Sequence, residues 1–323
     1  MFGYYRLASA VPQLRIADVD YNVDRLIAGF REASEKQAAA VVFPELSITG
    51  YSCGDLFFQP RLRQAALEGL RRFTEATEKS GTVAIVGLPF LYGDALYNTA
   101  AVVQAGRVLA LVPKTMLPNY REFYEKRQFT SARALGTGTR EITVNGAQVP
   151  FGTDIVFHDM SSPFSFGVEI CEDLWSVIPP SSTLALHGAR AILNPSAGTE
   201  LTGKAAYRRE LVKQQSGRCL CAYALSSAGV HESTTDVVFG GHCLIADNGR
   251  LAAESARFLR ENFLILADVD FERLAAGRLS ESSFNDNKPL PSTGEMLHVT
   301  LETDVPASPG LEYLSLIHIS EPT

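Results

Sequence analysis

Three side chains of complementary chemistry each come directly after a short apolar run of the sequence. Glu45, Lys114 and Cys171 follow runs rich in Val, Leu, Ile and Phe, which are typical of buried strands. In layered α/β proteins the ends of strands line the functional crevice, so residues distant in sequence meet there. We therefore expect a carboxylate, an ammonium group and a thiol to converge at one site.

This trio provides the groups needed to attack an unactivated amide. A base must remove the thiol proton, the sulfur must add to the carbonyl carbon, and a cation must stabilise the resulting oxyanion. Glu45, Cys171 and Lys114 fit these roles in that order. Each signal alone also fits a structural role: a capping or ion-paired carboxylate, a core thiol, or a solvated lysine at a strand end.

The elements that must position these residues follow from hydrophobic periodicity. Helical spacing and β-branched runs alternate, and two turns, at 104–106 and 247–250, indicate hairpins. This pattern predicts a layered α/β architecture with a mixed sheet. The predicted helices span 20–39, 61–79 and 204–218, and the predicted strands span 40–43, 82–88, 96–103, 107–112, 165–170, 189–193, 220–226, 241–246 and 263–269.

Composition narrows the class of protein. The chain has 323 residues, 46% of them hydrophobic, and a formal net charge of -7, which disfavours binding to nucleic acid. No run of about 18 apolar residues predicts a membrane span, and the N-terminus does not resemble a secretory signal. We therefore expect a cytoplasmic protein without a membrane partner. Five cysteines, an odd number, favour reduced thiols over a disulfide framework.

The sequences around the three residues resemble those of the carbon-nitrogen hydrolase (nitrilase) superfamily, over roughly residues 5 to 275. Within it they look like the glutaminase domain of glutamine-dependent NAD+ synthetases. The motifs that carry the resemblance occur in family order: FPELSITGYSCGDLF at 43–57, PKTMLPNYREFYEKRQF at 113–129 and GVEICEDLW at 167–175.

The resemblance implies a four-layer α-β-β-α sandwich over a carbon-nitrogen hydrolase domain at 1–275. It further implies that Cys171 forms a glutamyl thioester with L-glutamine, that Glu45 acts as the base, and that Lys114 holds the oxyanion. This step needs no metal and no cofactor. Homo-oligomers formed through the outer helices are also expected.

The resemblance places Tyr120 and Glu172 beside the substrate, with Lys204 as a basic residue near them. Many family members carry a serine where this chain has Gly198, so any side-chain contact from that position is absent here. A competing interpretation gives these residues no role in binding. Tyr120 and Glu172 would then be structural, and Lys204 would belong to a solvated helix face.

A synthetase of this type also needs an ATP-dependent domain with a Ser-Gly-Gly-x-Asp-Ser loop, which this sequence lacks. Deamido-NAD, ATP and Mg would bind that absent domain. We accordingly interpret 276–314 as a linker toward it and 315–323 as a non-native tail. Two alternatives remain open: a free-standing amidase or carbamoylase acting on another small amide, and a catalytically silent scaffold.

Overall fold

The computed structural model describes residues 3–287 and 296–308, which form two β-sheets packed face to face between helices. In the described residues the first sheet has eight strands. Their spatial order is β14 (Phe263–Asp270), β1 (Tyr4–Val11), β2 (Ala38–Val42), β3 (Val83–Tyr92), β4 (Ala95–Gln104), β5 (Arg107–Pro113), β7 (Ala147–Phe151) and β6 (Arg140–Val144).

The second sheet has seven strands in the same described part of the chain. Their order is β13 (Arg250–Glu254), β12 (Leu244–Asp247), β11 (Ala222–Ser227), β10 (Ala191–Ser196), β9 (Ser165–Val168), β8 (Ile155–His158) and β15 (Leu297–Thr300). The helices are α1 (Val19–Glu35), α2 (Pro60–Ala76), α3 (Pro180–Leu186), α4 (Lys204–Arg218), α5 (Phe271–Ser280) and α6 (Ser282–Asp286).

Three apolar cores separate the four layers. The first packs helices α1 and α2 on the first sheet, the second fills the space between the sheets, and the third packs α3 and α4 on the second sheet. Neighbouring residues of one strand alternate between cores: Val41 faces the helices and Val42 faces the second sheet. Central strands are therefore apolar on both faces, and the predicted α-β-β-α sandwich is confirmed.

The helices start where the sequence gives start signals. The Asp18 side chain caps α1 by accepting a hydrogen bond from the backbone N–H of Tyr21, and Pro60 occupies the first position of α2. Parallel pairing of β2 with β3, and of β9 with β10, directs the carboxyl ends of these strands toward the site. The chain segments that follow β2, β5 and β9 carry Glu45, Lys114 and Cys171.

The structure adds elements that periodicity did not reveal. Strand β1 pairs with β14 from the far end of the chain, and Ser9 and Arg6 interrupt its apolar pattern. Part of the predicted linker, 276–314, is also folded, because β15 pairs in parallel with β8 at the edge of the second sheet. Its apolar alternation covers only four residues beside a polar segment, too few to signal a strand. The predicted tail at 315–323 lies outside the described residues.

Candidate active site

Three buried charged side chains, Glu45, Lys114 and Glu125, form a cluster that we call the floor, and each acts on the pKa of the Cys171 thiol. The Lys114 Nζ atom lies 2.6 Å from Oε1 of Glu45 and 2.7 Å from Oε1 of Glu125. Lys114 and Glu45 are 0% and 1% exposed, and Glu125 is 5% exposed. Ions removed from water in this way are stable only when they are paired and hydrogen-bonded, so the three side chains must be held as a unit.

Polar neighbours fix the two carboxylates of this cluster. The Asn98 side chain on β4 donates to Oε1 of Glu45 at 2.6 Å, and the Tyr51 hydroxyl donates to Oε1 of Glu125 at 2.6 Å. Sequence reasoning did not single out Glu125 or Asn98. Glu125 begins a short 3₁₀ helix, Glu125–Arg127, where no strand end marks it, although it falls within one of the motifs that carry the family resemblance.

Burial and neighbouring charges shift the pKa of Lys114 in opposite directions. Burial by itself would lower the pKa of Lys114, but the carboxylates of Glu125 and Glu45 outweigh this effect and raise the pKa well above its usual range. Burial also raises the pKa of Glu125, against the influence of the Lys114 charge. Lys114 is therefore a permanent cation at the floor of the site, available to stabilise negative charge.

Cys171 reaches the same site from the second sheet. It begins a short turn after β9 with a φ of 46°, a left-handed conformation that non-glycine residues seldom adopt. Its backbone N–H donates to Oδ1 of Asn194 at 2.9 Å. Burial and the Glu45 charge raise the pKa of the Cys171 thiol to about 12, while the Lys114 charge lowers it. The sulfur is thus a thiol at neutral pH and requires a base.

A half-open cleft of about 470 Å³ lies above Cys171. The three predicted substrate contacts, Tyr120, Glu172 and Lys204, all line it. The Tyr120 hydroxyl donates to Oε1 of Glu172 at 2.7 Å, and the Lys204 Nζ atom donates to Oγ1 of Thr199 at 2.9 Å. Cys171 lines the same cleft, whereas Glu45 and Lys114 do not line it and lie buried, close enough to Cys171 to act on the pKa of its thiol.

The cleft carries opposite charges on facing segments. Burial raises the pKa of Glu172, although the hydrogen bond from Tyr120 acts against this. Burial lowers the pKa of Lys204, although the charges of Glu122 and Glu172 act against it. The Lys204 ammonium group also lies 5.3 Å from the Phe123 ring centroid and 5.5 Å from that of Trp175.

Gly198 lines the cleft as expected, and the structure shows what lies behind it. A Cβ atom at this position would lie 3.2 Å from Nη2 of Arg208, whose guanidinium group is buried and donates to the backbone carbonyl of Thr199 at 3.1 Å. The wall at Gly198 is therefore backbone supported by a buried arginine.

Within residues 3–287 and 296–308, no group of three or more His, Cys, Asp or Glu side chains is arranged to hold a metal ion. The five cysteines all fall in this part of the chain and are free, buried thiols. Over the same residues, no helix is both long enough and apolar enough to cross a membrane.

The fold and the site define a class of protein, and comparison with known sequences agrees. The family model for carbon-nitrogen hydrolases matches residues 6–279, and the chain belongs to this family. More particularly, it is 40% identical over 288 residues to the glutamine-dependent NAD(+) synthetase of Mycobacterium tuberculosis, which covers 88% of this chain and 42% of that protein. The synthetase of Aquifex aeolicus is 30% identical over 278 residues, or 84% of this chain and 44% of that protein.

Solved structures give the same result. The glutamine-dependent NAD(+) synthetase of Cytophaga hutchinsonii superimposes with a TM-score of 0.74 at 29% identity, over 82% of this chain and 43% of that one. An amidase from Nesterenkonia sp. superimposes with a TM-score of 0.63 over 89% of this chain and 97% of the amidase, and its 20% identity supports the fold alone. The resemblance read from the motifs is confirmed, and the chain spans less than half the length of these synthetases.

Proposed function

We propose that this chain hydrolyses the side-chain amide of L-glutamine to glutamate and ammonia through a thioester on Cys171. The observation that carries the proposal is that the buried Glu45–Lys114–Glu125 cluster lies close enough to act on the pKa of Cys171, which itself lines a cleft. This arrangement supplies a base, a fixed cation and a nucleophile within a site largely closed to water.

In the first half-reaction Glu45 takes the thiol proton as the Cys171 sulfur bonds to the amide carbon. Lys114 stabilises the oxyanion that forms, and the proton passes from Glu45 to the amide nitrogen as the carbon–nitrogen bond breaks and ammonia leaves. In the second half-reaction Glu45 takes a proton from water, and the water oxygen adds to the thioester carbon. The carbon–sulfur bond then breaks and Glu45 returns its proton to the Cys171 sulfur, which releases glutamate and restores the site.

Recognition of glutamine is assigned to the charged wall of the cleft. Glu172, oriented by Tyr120, is suited to pair with the α-ammonium group, and Lys204 is suited to pair with the α-carboxylate. A substrate with both charges would then be held with its side chain directed at Cys171. We further propose that the ammonia serves an ATP-dependent amidation of deamido-NAD to NAD+, as the names of the relatives suggest.

An amide panel tests this assignment. Ammonia release is measured for L-glutamine, L-asparagine, butyramide and an N-carbamoyl amino acid, with Cys171→Ala as the inactive variant and Cys243→Ala as the matched control for a buried thiol. We expect kcat/KM for glutamine to exceed that for the other substrates by about tenfold or more, because only glutamine pairs both charges at the right distance. A higher value for butyramide or the carbamoyl compound would replace glutaminase with a free-standing amidase or carbamoylase.

A further inference from the structure

Asp173 joins two chain segments that the proposed mechanism requires but that belong to different sheets. Its carboxylate is 2% exposed. Oδ1 accepts the backbone N–H of Met116 at 2.7 Å and that of Thr115 at 3.1 Å, while Oδ2 accepts the backbone N–H of Ile170 at 2.9 Å. Thr115 and Met116 come directly after Lys114, and Ile170 comes directly before Cys171.

We propose that Asp173 is a positioning residue that fixes Lys114 and Cys171 relative to each other across the two sheets. The inference rests on the proposed function, because it assigns Asp173 to the step in which the lysine stabilises charge formed at the cysteine. The contact with Ile170 is local and closes the short turn at Cys171. Thr115 and Met116 are 58 and 57 residues away from Asp173 in sequence, and a turn does not need these contacts.

The lysine segment needs such an anchor. The backbone N–H of Lys114 still donates to the carbonyl of Asn98 on β4 at 2.8 Å, but residues 115–119 form no helix or strand, so the N–H groups of Thr115 and Met116 have no partners in a sheet. Glu45 is linked to the second sheet separately, because its own backbone N–H donates to the carbonyl of Ser196 at 3.2 Å. One contact thus holds the base beside the second sheet, and the Asp173 carboxylate does the same for the lysine.

The variant Asp173→Asn tests the proposal while nearly preserving shape. An amide can accept the N–H groups of only one segment, because its nitrogen faces the other with hydrogens of its own. We expect kcat for glutamine per folded molecule to fall about 100-fold, with KM within about threefold, since small displacements of reacting groups cost rates of this size.

The matched control is Asp159→Asn. Asp159 is also a buried aspartate that joins two segments, accepting the backbone N–H of Ser161 at 2.8 Å and that of Val305 at 3.1 Å, but it lies at the end of β8 away from the cleft. We expect this variant to lose stability and to keep kcat per folded molecule within about twofold of the unchanged protein. Equal losses of kcat in the two variants would overturn the proposal.

A double-mutant cycle separates this proposal from the proposed function. The rate of Cys171 alkylation by iodoacetamide needs no amide hydrolysis, and the Lys114 charge promotes it by lowering the pKa of the thiol. Asp173→Asn should slow alkylation when Lys114 is present and leave it unchanged in the Lys114→Met background. Equal effects in both backgrounds would refute the positioning role, whether or not glutamine proves to be the substrate.

Hydrogen exchange on the unchanged protein covers the case in which Asp173→Asn does not fold. The amides of Thr115 and Met116 should exchange as slowly as those of β5, although they lie outside any strand. If these two amides exchange as fast as those of an open loop, Asp173 does not anchor the segment that follows Lys114.

Discussion

The floor and the wall of the cleft are built differently. On the floor, Lys114 and Glu45 are almost completely buried and joined at 2.6 Å. On the wall, Tyr120 is 49% exposed, and Glu172 and Lys204 are partly exposed. Glu45 and Lys114 follow strands of the sandwich, whereas Tyr120 lies in a loop, Glu172 in the short 3₁₀ helix after β9 and Lys204 in the first turn of α4. This difference in burial matches the roles that we propose, in which the floor carries the chemistry and the wall selects the substrate.

This difference in burial also determines how much each residue contributes to stability and to catalysis. Removing one partner of a buried ion pair leaves an uncompensated charge in the interior and costs about 3–5 kcal/mol. A hydrogen bond on a partly exposed wall contributes about 0.5–1.5 kcal/mol, because water competes for it. Variants on the floor should therefore affect both stability and kcat, and variants on the wall should chiefly affect KM.

Lys114→Met should give the largest effect. It removes the cation from the oxyanion and leaves Glu45 and Glu125 facing each other without a counter-charge. We expect kcat for glutamine to fall about 1,000-fold and the free energy of unfolding in urea to fall by about 3–5 kcal/mol. The exposed Lys126 provides the control, since Lys126→Met should change neither quantity. A stable and active Lys114→Met protein would show that the buried floor residues contribute no more to stability and kcat than the wall residues do.

Glu45→Gln should separate two properties of the floor. Loss of the base should lower kcat for glutamine by about 100- to 1,000-fold. The same change should speed alkylation of Cys171 at pH 8, because the Glu45 charge helps to raise the pKa of that thiol to about 12. In the unchanged protein, alkylation should rise about tenfold per pH unit from pH 7 to 9, since this range lies below the pKa. Slower alkylation of the variant would contradict this account.

Gly87→Ala tests whether backbone packing positions the base. A Cβ atom on Gly87 of β3 would lie against the backbone nitrogen of Leu46, the residue after Glu45. The resulting shift should lower kcat about 100-fold with little change in KM. Gly277 in α5 has open space around its Cβ position, so Gly277→Ala should leave kcat unchanged and stabilise the helix slightly. An active Gly87→Ala protein would show that the floor tolerates movement.

Lys204→Met should give the smallest effect and should act on binding. We expect KM for glutamine to rise about tenfold with kcat within about twofold, because the variant loses a charge pair with the α-carboxylate and touches no reacting atom. KM for butyramide, which has no α-carboxylate, should not change. Lys213→Met on the same helix is the control, as that lysine pairs with Glu210 on the surface. If only kcat falls and KM does not change, Lys204 takes part in the chemistry, as the floor residues do, and not in substrate binding.

Much of the sandwich and the placement of Glu45, Lys114 and Cys171 could be predicted from the sequence. Apolar runs mark buried strands, and the rule that strand ends meet then brings distant residues together. Glu125 could not be found in this way, because a glutamate in a three-residue 3₁₀ helix has no periodic signal and only the folded chain shows it beside Lys114. Strands β1 and β15 were missed because their partners are remote in sequence and their own apolar patterns are weak.

The central claim is that Cys171 is the nucleophile that carries the acyl group. Its most direct test is intact-mass analysis of the protein after mixing with L-glutamine and quenching in acid during turnover, followed by peptide mapping. We predict a glutamyl adduct on the peptide containing Cys171, formed and lost at rates that match ammonia release, and absent from Cys171→Ala. Ammonia release by Cys171→Ala at the unchanged rate, or an adduct on another residue, would contradict the account.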